Sequence, residues 1–117
     1  MIELLIVVSV IAILAAIALQ MFAGLEQRAR IGRAQADLRT MASAVSMYDA
    51  HMGTPPPTID DLTVAATNGL GQIAGPFLVE VPTRPSATWT PYSYAVDLTA
   101  GTFTISAAGD GATVSVP

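Results

Sequence analysis

The feature that most constrains this chain is the apolar run from Leu4 to Leu25, which contains no charged residue. As a helix rising ~1.5 Å per residue it would extend about 33 Å, enough to cross the hydrocarbon core of a bilayer. Glu3 stands at its start and is the only charge among the first 25 residues. A carboxylate in that position is costly in lipid unless it finds a partner.

A secretory signal peptide is the obvious rival for such a segment. It would begin with basic residues and have a shorter apolar region followed by a small-residue cleavage site. Here no basic residue precedes the run, and the helical pattern continues beyond it. We therefore expect the segment to remain in the protein.

Beyond the run, apolar residues recur at alternating steps of three and four, which predicts one apolar stripe on a helix. The stripe consists of Ile31, Ala34, Leu38, Met41, Val45, Tyr48 and Met52. No proline occurs in residues 1–54, so we predict a single helix from about Ile2 to His51. Gly53, followed by three prolines at 55–57, should end it.

The remaining residues, 53–117, predict a small head. Residues 58–61 resemble a capping box with Asp in place of Glu, which favours a short helix to about Ala66. Residues 68–71 are predicted to be a loop, and residues 76–82 a short extended piece. Apolar alternation within residues 92–96, 103–107 and 114–116 then predicts a three-stranded antiparallel meander. Its apolar face should lie on the stripe, with head-to-helix packing carried by Ile31, Leu38, Met41, Val45 and Tyr48. The fold class is α+β.

The charges are unevenly distributed along the chain. The net charge is −4, yet four of the five basic residues lie within residues 28–39, and Arg84 is the only one after them. The basic stretch at residues 28–39, called the neck below, could attract the acidic head of another copy. A solvated helix face beside an ordinary acidic surface explains the same pattern, and both interpretations stay open. Cysteine is absent, so disulfides and thiolate metal sites are excluded.

No residue pattern points to catalysis, a cofactor or a metal. His51 lies at the predicted end of the long helix and favours a surface or helix-dipole role. The adjacent Asp60 and Asp61 look like first-turn residues, and Asp97 with Asp110 falls far short of the roughly six to eight oxygens that calcium takes. No nucleophile–base pair or phosphate-binding glycine loop occurs, so we predict that the chain is not an enzyme.

Two groups of residues in the chain suggest a binding surface, and each has a simpler interpretation. Four aromatic residues of the head could form a surface for nucleic acid or electron transfer, but core packing is favoured. They are Trp89, Tyr92, Tyr94 and Phe103. Arg28, Arg30 and Arg33 could contact DNA, although arginines beside a membrane or a neighbouring head are commonplace, and no nucleic-acid partner is expected.

Residues 2–8 (IELLIVV) and 13–18 (ILAAIA) resemble the amino terminus of mature type IV pilins and type II secretion pseudopilins. Weaker similarity to major pseudopilins continues in the head, through residues 48–56, 75–85 and 106–111. The resemblance implies a type IV pilin-like fold: a long N-terminal helix packed on a small antiparallel sheet.

The resemblance also implies a subunit that self-assembles into a helical filament. Residues 1–25 would span the bacterial inner membrane before assembly and lie in the filament core afterwards, residues 26–52 would continue the helix, and residues 53–117 would form the head. Glu3 matches the glutamate thought to pair with a neighbour's amino terminus. Core packing would fall to Leu4, Leu5, Val8, Ile11, Leu14 and Ile17. The implied partners are other copies, membrane lipid, a prepilin peptidase, an inner-membrane platform protein and an assembly ATPase.

Two departures from the family pattern bear on this reading. Family members usually carry two further residues, phenylalanine first, ahead of the position of Met1, which leaves the mature amino terminus and its methylation open. Many pilins also have a glycine and a proline within the apolar helix where this chain has Ala12 and Gln20. Because alanine favours helix over glycine by roughly 1 kcal/mol and proline disfavours it by about 3, we predict a more continuous helix here.

The filament could be a periplasmic pseudopilus or an extracellular pilus. The short, cysteine-free head favours the pseudopilus, with the principal subunit as the expected role. Two alternatives remain: a DNA-uptake competence pilin, and a monomeric membrane-anchored binding module whose head captures a ligand in the periplasm.

Overall fold

A computed structural model describes residues 1–117, and its first element is a single helix, α1, from Ile2 to Met52. The helix ends as predicted: Gly53 adopts a φ of 83°, and its amide donates to the Asp49 carbonyl at 2.7 Å. A left-handed residue is readily supplied by glycine, and the following prolines prevent the helix from continuing. By contacts between Cα atoms the chain forms two compact units, Met1–Arg30 and Ile31–Pro117.

The second unit contains a three-stranded antiparallel sheet, which confirms the predicted meander. The order is β3–β4–β5, with β3 at Ser93–Asp97, β4 at Thr102–Gly109 and β5 at Ala112–Val116. Asp110 and Gly111, with φ values of 52° and 72°, join β4 to β5. Two successive positive φ values are what a tight two-residue hairpin requires.

The core of the second unit lies between α1 and the sheet. Ala34, Leu38, Met41 and Val45 are fully buried, while Tyr48 is nearly so and Ile31 is half-buried. The sheet contributes the inward-facing residues Ile105, Ala107 and Val114, a short 3-10 helix adds Leu62, and the loops add Leu78 and Trp89. Burial of Trp89 confirms that it packs in the core.

The prediction of a short helix to about Ala66 was wrong in its extent, whereas its capping box forms, with the Thr58 amide donating to Asp61 Oδ2 at 3.0 Å. The short helix is a five-residue 3-10 helix, Ile59–Thr63, and Ala66 belongs instead to a small hairpin of β1 (Ala66–Thr67) and β2 (Ile73–Ala74). The Asn68 side-chain oxygen accepts from the amides of Leu70 and Gln72 at 3.0 and 2.9 Å, which closes the hairpin loop. Such side-chain bonds offer the backbone an alternative to helix.

Residues 76–82, predicted to be a short extended piece, form no regular element. The peptide bond between Gly75 and Pro76 is cis, and the amides of Phe77 and Leu78 both donate to the Leu62 carbonyl, at 2.8 and 2.9 Å. The two hydrogen bonds to Leu62 hold the segment against the 3-10 helix, and Leu78 is buried in the core there.

Candidate assembly surface

The first unit presents an apolar helix that nothing in the chain covers. The six residues predicted to pack in a filament core are all exposed, from 55% for Ile17 to 69% for Leu4. The most apolar 18-residue stretch of α1 is 0% buried, and it is long and apolar enough to cross a membrane. Exposed apolar surface on this scale marks a site that contacts lipid or other protein.

The polar groups of this segment are few and differ in their surroundings. The Ser9 hydroxyl donates to the Leu5 carbonyl at 2.7 Å, so it is satisfied within the helix and tolerates an apolar environment. Glu3 lies exposed in the first turn, where the helix dipole favours a negative charge, and no side chain of the chain pairs with it. A helix buried in an apolar environment would therefore bring Glu3 with it, unpaired, unless another molecule supplied a cation.

Two tyrosine hydroxyls hold the sheet region in place, one by bonding to α1 and the other by bonding to the loop that follows α1. Tyr92 donates to Asp37 Oδ2 at 2.7 Å, and Asp37 also lies 3.7 Å from Arg33. Tyr94 donates to the Pro56 carbonyl at 2.7 Å. Burial, followed by the bond to the Asp37 carboxylate, raises the pKa of Tyr92 well above that of a free phenol. Burial and the nearby Asp61 raise the pKa of Tyr94 to about 12.

Trp89 fixes the far end of the sheet. Its indole Nε1 donates to Asp110 Oδ2 at 2.8 Å, its carbonyl accepts from Arg84 at 3.0 Å, and its ring lies directly over Gly109. A Cβ placed on Gly109 would come within 2.3 Å of the ring. Position 109 therefore admits only glycine while the ring holds this place.

His51 joins the end of α1 to the small hairpin. The sequence indicated a surface or helix-dipole role, and the residue does stand in the last helical turn. It is half-buried, however, with Nε2 lying 3.1 Å from the Ala66 carbonyl. No group of three or more His, Cys, Asp or Glu side chains that could hold a metal ion is present.

Sequence reasoning missed the contacts that hold the head on the helix. Asp37 reads as an ordinary solvated neck charge, yet it anchors Tyr92 across 55 residues. Its place beside Leu38 on the apolar stripe was the available signal, because residues at the edge of a buried stripe face whatever packs there. Nothing in the sequence indicated that the Asp110 carboxylate would accept a hydrogen bond from the indole of Trp89.

Residues 21–115 match the family described as type II secretion system (T2SS), protein G. The chain belongs to the protein G family of the type II secretion system. Its members are structural subunits of the secretion pseudopilus, one of the two kinds of filament that the resemblance of residues 2–8 and 13–18 implied. No curated protein and no solved structure matches the chain.

The family match and the pilin-like motif are largely independent. The match covers the neck and the head, whereas Glu3 and the most apolar residues precede position 21. The protein G match thus depends on one part of the chain, and the pilin resemblance depends mainly on another part. Both indicate a subunit of the same class of filament. The long helix with a small three-stranded sheet is the α+β, pilin-like fold that was predicted.

Proposed function

We propose that this chain is the principal subunit of a type II secretion pseudopilus, which it forms by self-assembly. The observation that carries the proposal is an uncovered apolar helix joined to a head of the protein G family. A monomer would have to leave that helix in lipid, whereas a filament can bury it among identical helices.

Before assembly, residues 1–25 cross the bacterial inner membrane and residues 53–117 lie in the periplasm, with residues 26–52 continuing the helix between them. After assembly, copies pack through Leu4, Leu5, Val8, Ile11, Leu14 and Ile17. Apolar burial stabilises association by ~25 cal/mol per Å², but it is non-directional and sets no register.

Glu3 supplies the register in this proposal. In the filament core its carboxylate pairs with the amino terminus of a neighbouring copy, because each buried charge stabilises the assembly only when paired. If a copy were displaced along the filament axis, the Glu3 carboxylate and the neighbouring amino terminus would both be unpaired in an apolar environment. The assembly partners would be a prepilin peptidase, an inner-membrane platform protein and an assembly ATPase.

The test is deletion of this subunit, with restoration by wild-type chain as the control. The proposal expects secreted enzymes to accumulate in the periplasm while fibres sheared from the cell surface, counted by electron microscopy, stay unchanged. Loss of surface fibres with intact secretion would instead indicate an extracellular pilus. Normal secretion, normal fibres and a monomeric chain in membrane extracts would contradict the proposal and favour a monomeric binding module.

A further inference from the structure

The second unit carries an apolar groove with a cation at one end. The groove has a volume of about 660 Å³, and its walls include Ala42 and Met47 of α1 with Phe103 and Val116 of the sheet. A smaller cleft of about 300 Å³ adjoins it, because Val116 lines both, and this cleft is lined by Arg39. Both are lined in part by residues of α1 and share Val116, and we treat the two together as one candidate surface.

Arg39 has no partner within the chain, unlike Arg30 and Arg33. Arg30 lies 3.9 Å from Glu26, and Arg33 lies 3.7 Å from Asp37. Arg39 is exposed and makes no ion pair or hydrogen bond within the chain. The surface is therefore suited to an apolar side chain that stands next to a carboxylate.

The chain itself displays that combination at Val79 and Glu80. Val79 is 97% exposed, the most exposed large apolar side chain of the head, and Glu80 is exposed with no partner. Both stand between anchored residues: Leu78 is buried with its amide bonded to the Leu62 carbonyl at 2.9 Å, and Val81 packs against the core. The pair is thus a protrusion fixed at both ends, which lowers the entropy lost on docking.

We propose that Val79 of one copy inserts into the groove of a second copy, where Glu80 pairs with Arg39. The apolar and the charged parts of the two surfaces match together, which favours a second copy over an unrelated partner. The exposed hairpin residues Leu70 and Ile73 offer no carboxylate beside them and fit the surface less well. The inference rests on the proposed function and adds to it the contact between heads.

The contact is heterologous, since each copy contributes a protrusion on one side and a groove on the other. Heterologous contacts that do not close into a ring extend without limit, and a filament requires contacts of this kind. A self-complementary contact would stop at a dimer. The two cases give different cross-linking patterns.

Because the chain has no cysteine, a pair of introduced cysteines reports the contact directly. The full chain carrying Val79→Cys and Met47→Cys, expressed with its assembly machinery and oxidised, should give a ladder of dimers, trimers and longer species. The matched control replaces Met47→Cys by Val64→Cys, since the two positions are similarly exposed at 59% and 57%. It should remain monomeric, as should each single-cysteine chain.

Charge exchange tests the polar half of the contact. Arg39→Glu or Glu80→Arg alone should lower the filament yield, and the two together should restore it. Wild-type filaments with no link between positions 47 and 79, a link that stops at dimers, or a double variant no better than the single ones would each overturn this inference. Absence of filaments from the wild type would overturn the proposed function instead.

Discussion

Replacing Gly109 with alanine should strongly destabilise the head, although it adds a single methyl group. The new Cβ would lie 2.3, 2.4 and 2.6 Å from Cδ2, Cγ and Cδ1 of Trp89. Carbon atoms pack best at about 3.5–4.0 Å, so the ring would have to move by more than ~1 Å. These three atoms lie at the base of the indole, and moving them displaces the whole ring.

The structure bounds the size of this effect. Small shifts that relieve overpacking cost about 1–3 kcal/mol. Complete expulsion of the indole would expose about 150–250 Å² and forfeit about 4–6 kcal/mol at ~25 cal/mol per Å². Trp89 is 1% exposed and its Nε1 donates a hydrogen bond to Asp110. A shift of the ring and its complete expulsion would therefore both be destabilising. We expect a loss of about 3 kcal/mol, which lowers the melting temperature of a domain this size by about 12–24 °C.

The assay is thermal unfolding of the full chain in detergent, followed by tryptophan fluorescence. Trp89 is the only tryptophan, so its emission reports both unfolding and exposure of the ring in the folded state. The matched control is Gly69→Ala, where an added Cβ meets nothing within 4 Å and no positive φ is required. Stability within ~0.5 kcal/mol of wild type, with unshifted emission, would refute the packing argument.

Three further predictions follow from single residues. Tyr94 has a pKa of about 12 in the folded chain against 10.0 for the free phenol. The folded state therefore keeps this proton to higher pH, and stability should fall as pH rises from 10 to 12. Because Tyr92 also has a raised pKa, a Tyr94→Phe chain should show a shallower fall over this range, and an equal slope in both chains would contradict the assignment. Gly32→Ala, in an exposed helical position with nothing within 4 Å, should raise the unfolding free energy by about 1 kcal/mol, and no gain in denaturant unfolding would count against it. In a filament reconstruction, backbone hydrogen bonds should persist from Ala12 to Phe22, and a melted stretch there would show that continuity of α1 is lost on assembly.

The elements with a strong periodic pattern were predictable from sequence. The helix was predicted from about Ile2 to His51 and runs from Ile2 to Met52, because its stripe spacing and the Gly53 stop are local signals. The meander was predictable for the same reason, since alternation and the Gly109–Gly111 turn specify strands and their connection. Both depend on neighbours in sequence.

The contacts that the sequence did not predict join residues far apart in the chain. The hairpin of β1 and β2 replaced the end of the predicted helix because Asn68 closes its loop and His51 holds Ala66, and neither bond is visible as a period. The Tyr92–Asp37 bond likewise depends on the docked sheet. For the assembly surface, sequence identified the apolar residues and Glu3, but the groove at Val116 and the full exposure of Val79 required the structure.

The central claim is that copies of this chain bury their apolar helices in one another and neutralise Glu3 by doing so. A side-chain-resolution reconstruction of the filament tests it most directly. We expect the Glu3 carboxylate to lie within about 4 Å of the amino terminus of a neighbouring copy, with Leu4 to Ile17 covered by other helices. A filament in which Glu3 faces solvent, or in which these helices remain uncovered, would contradict it.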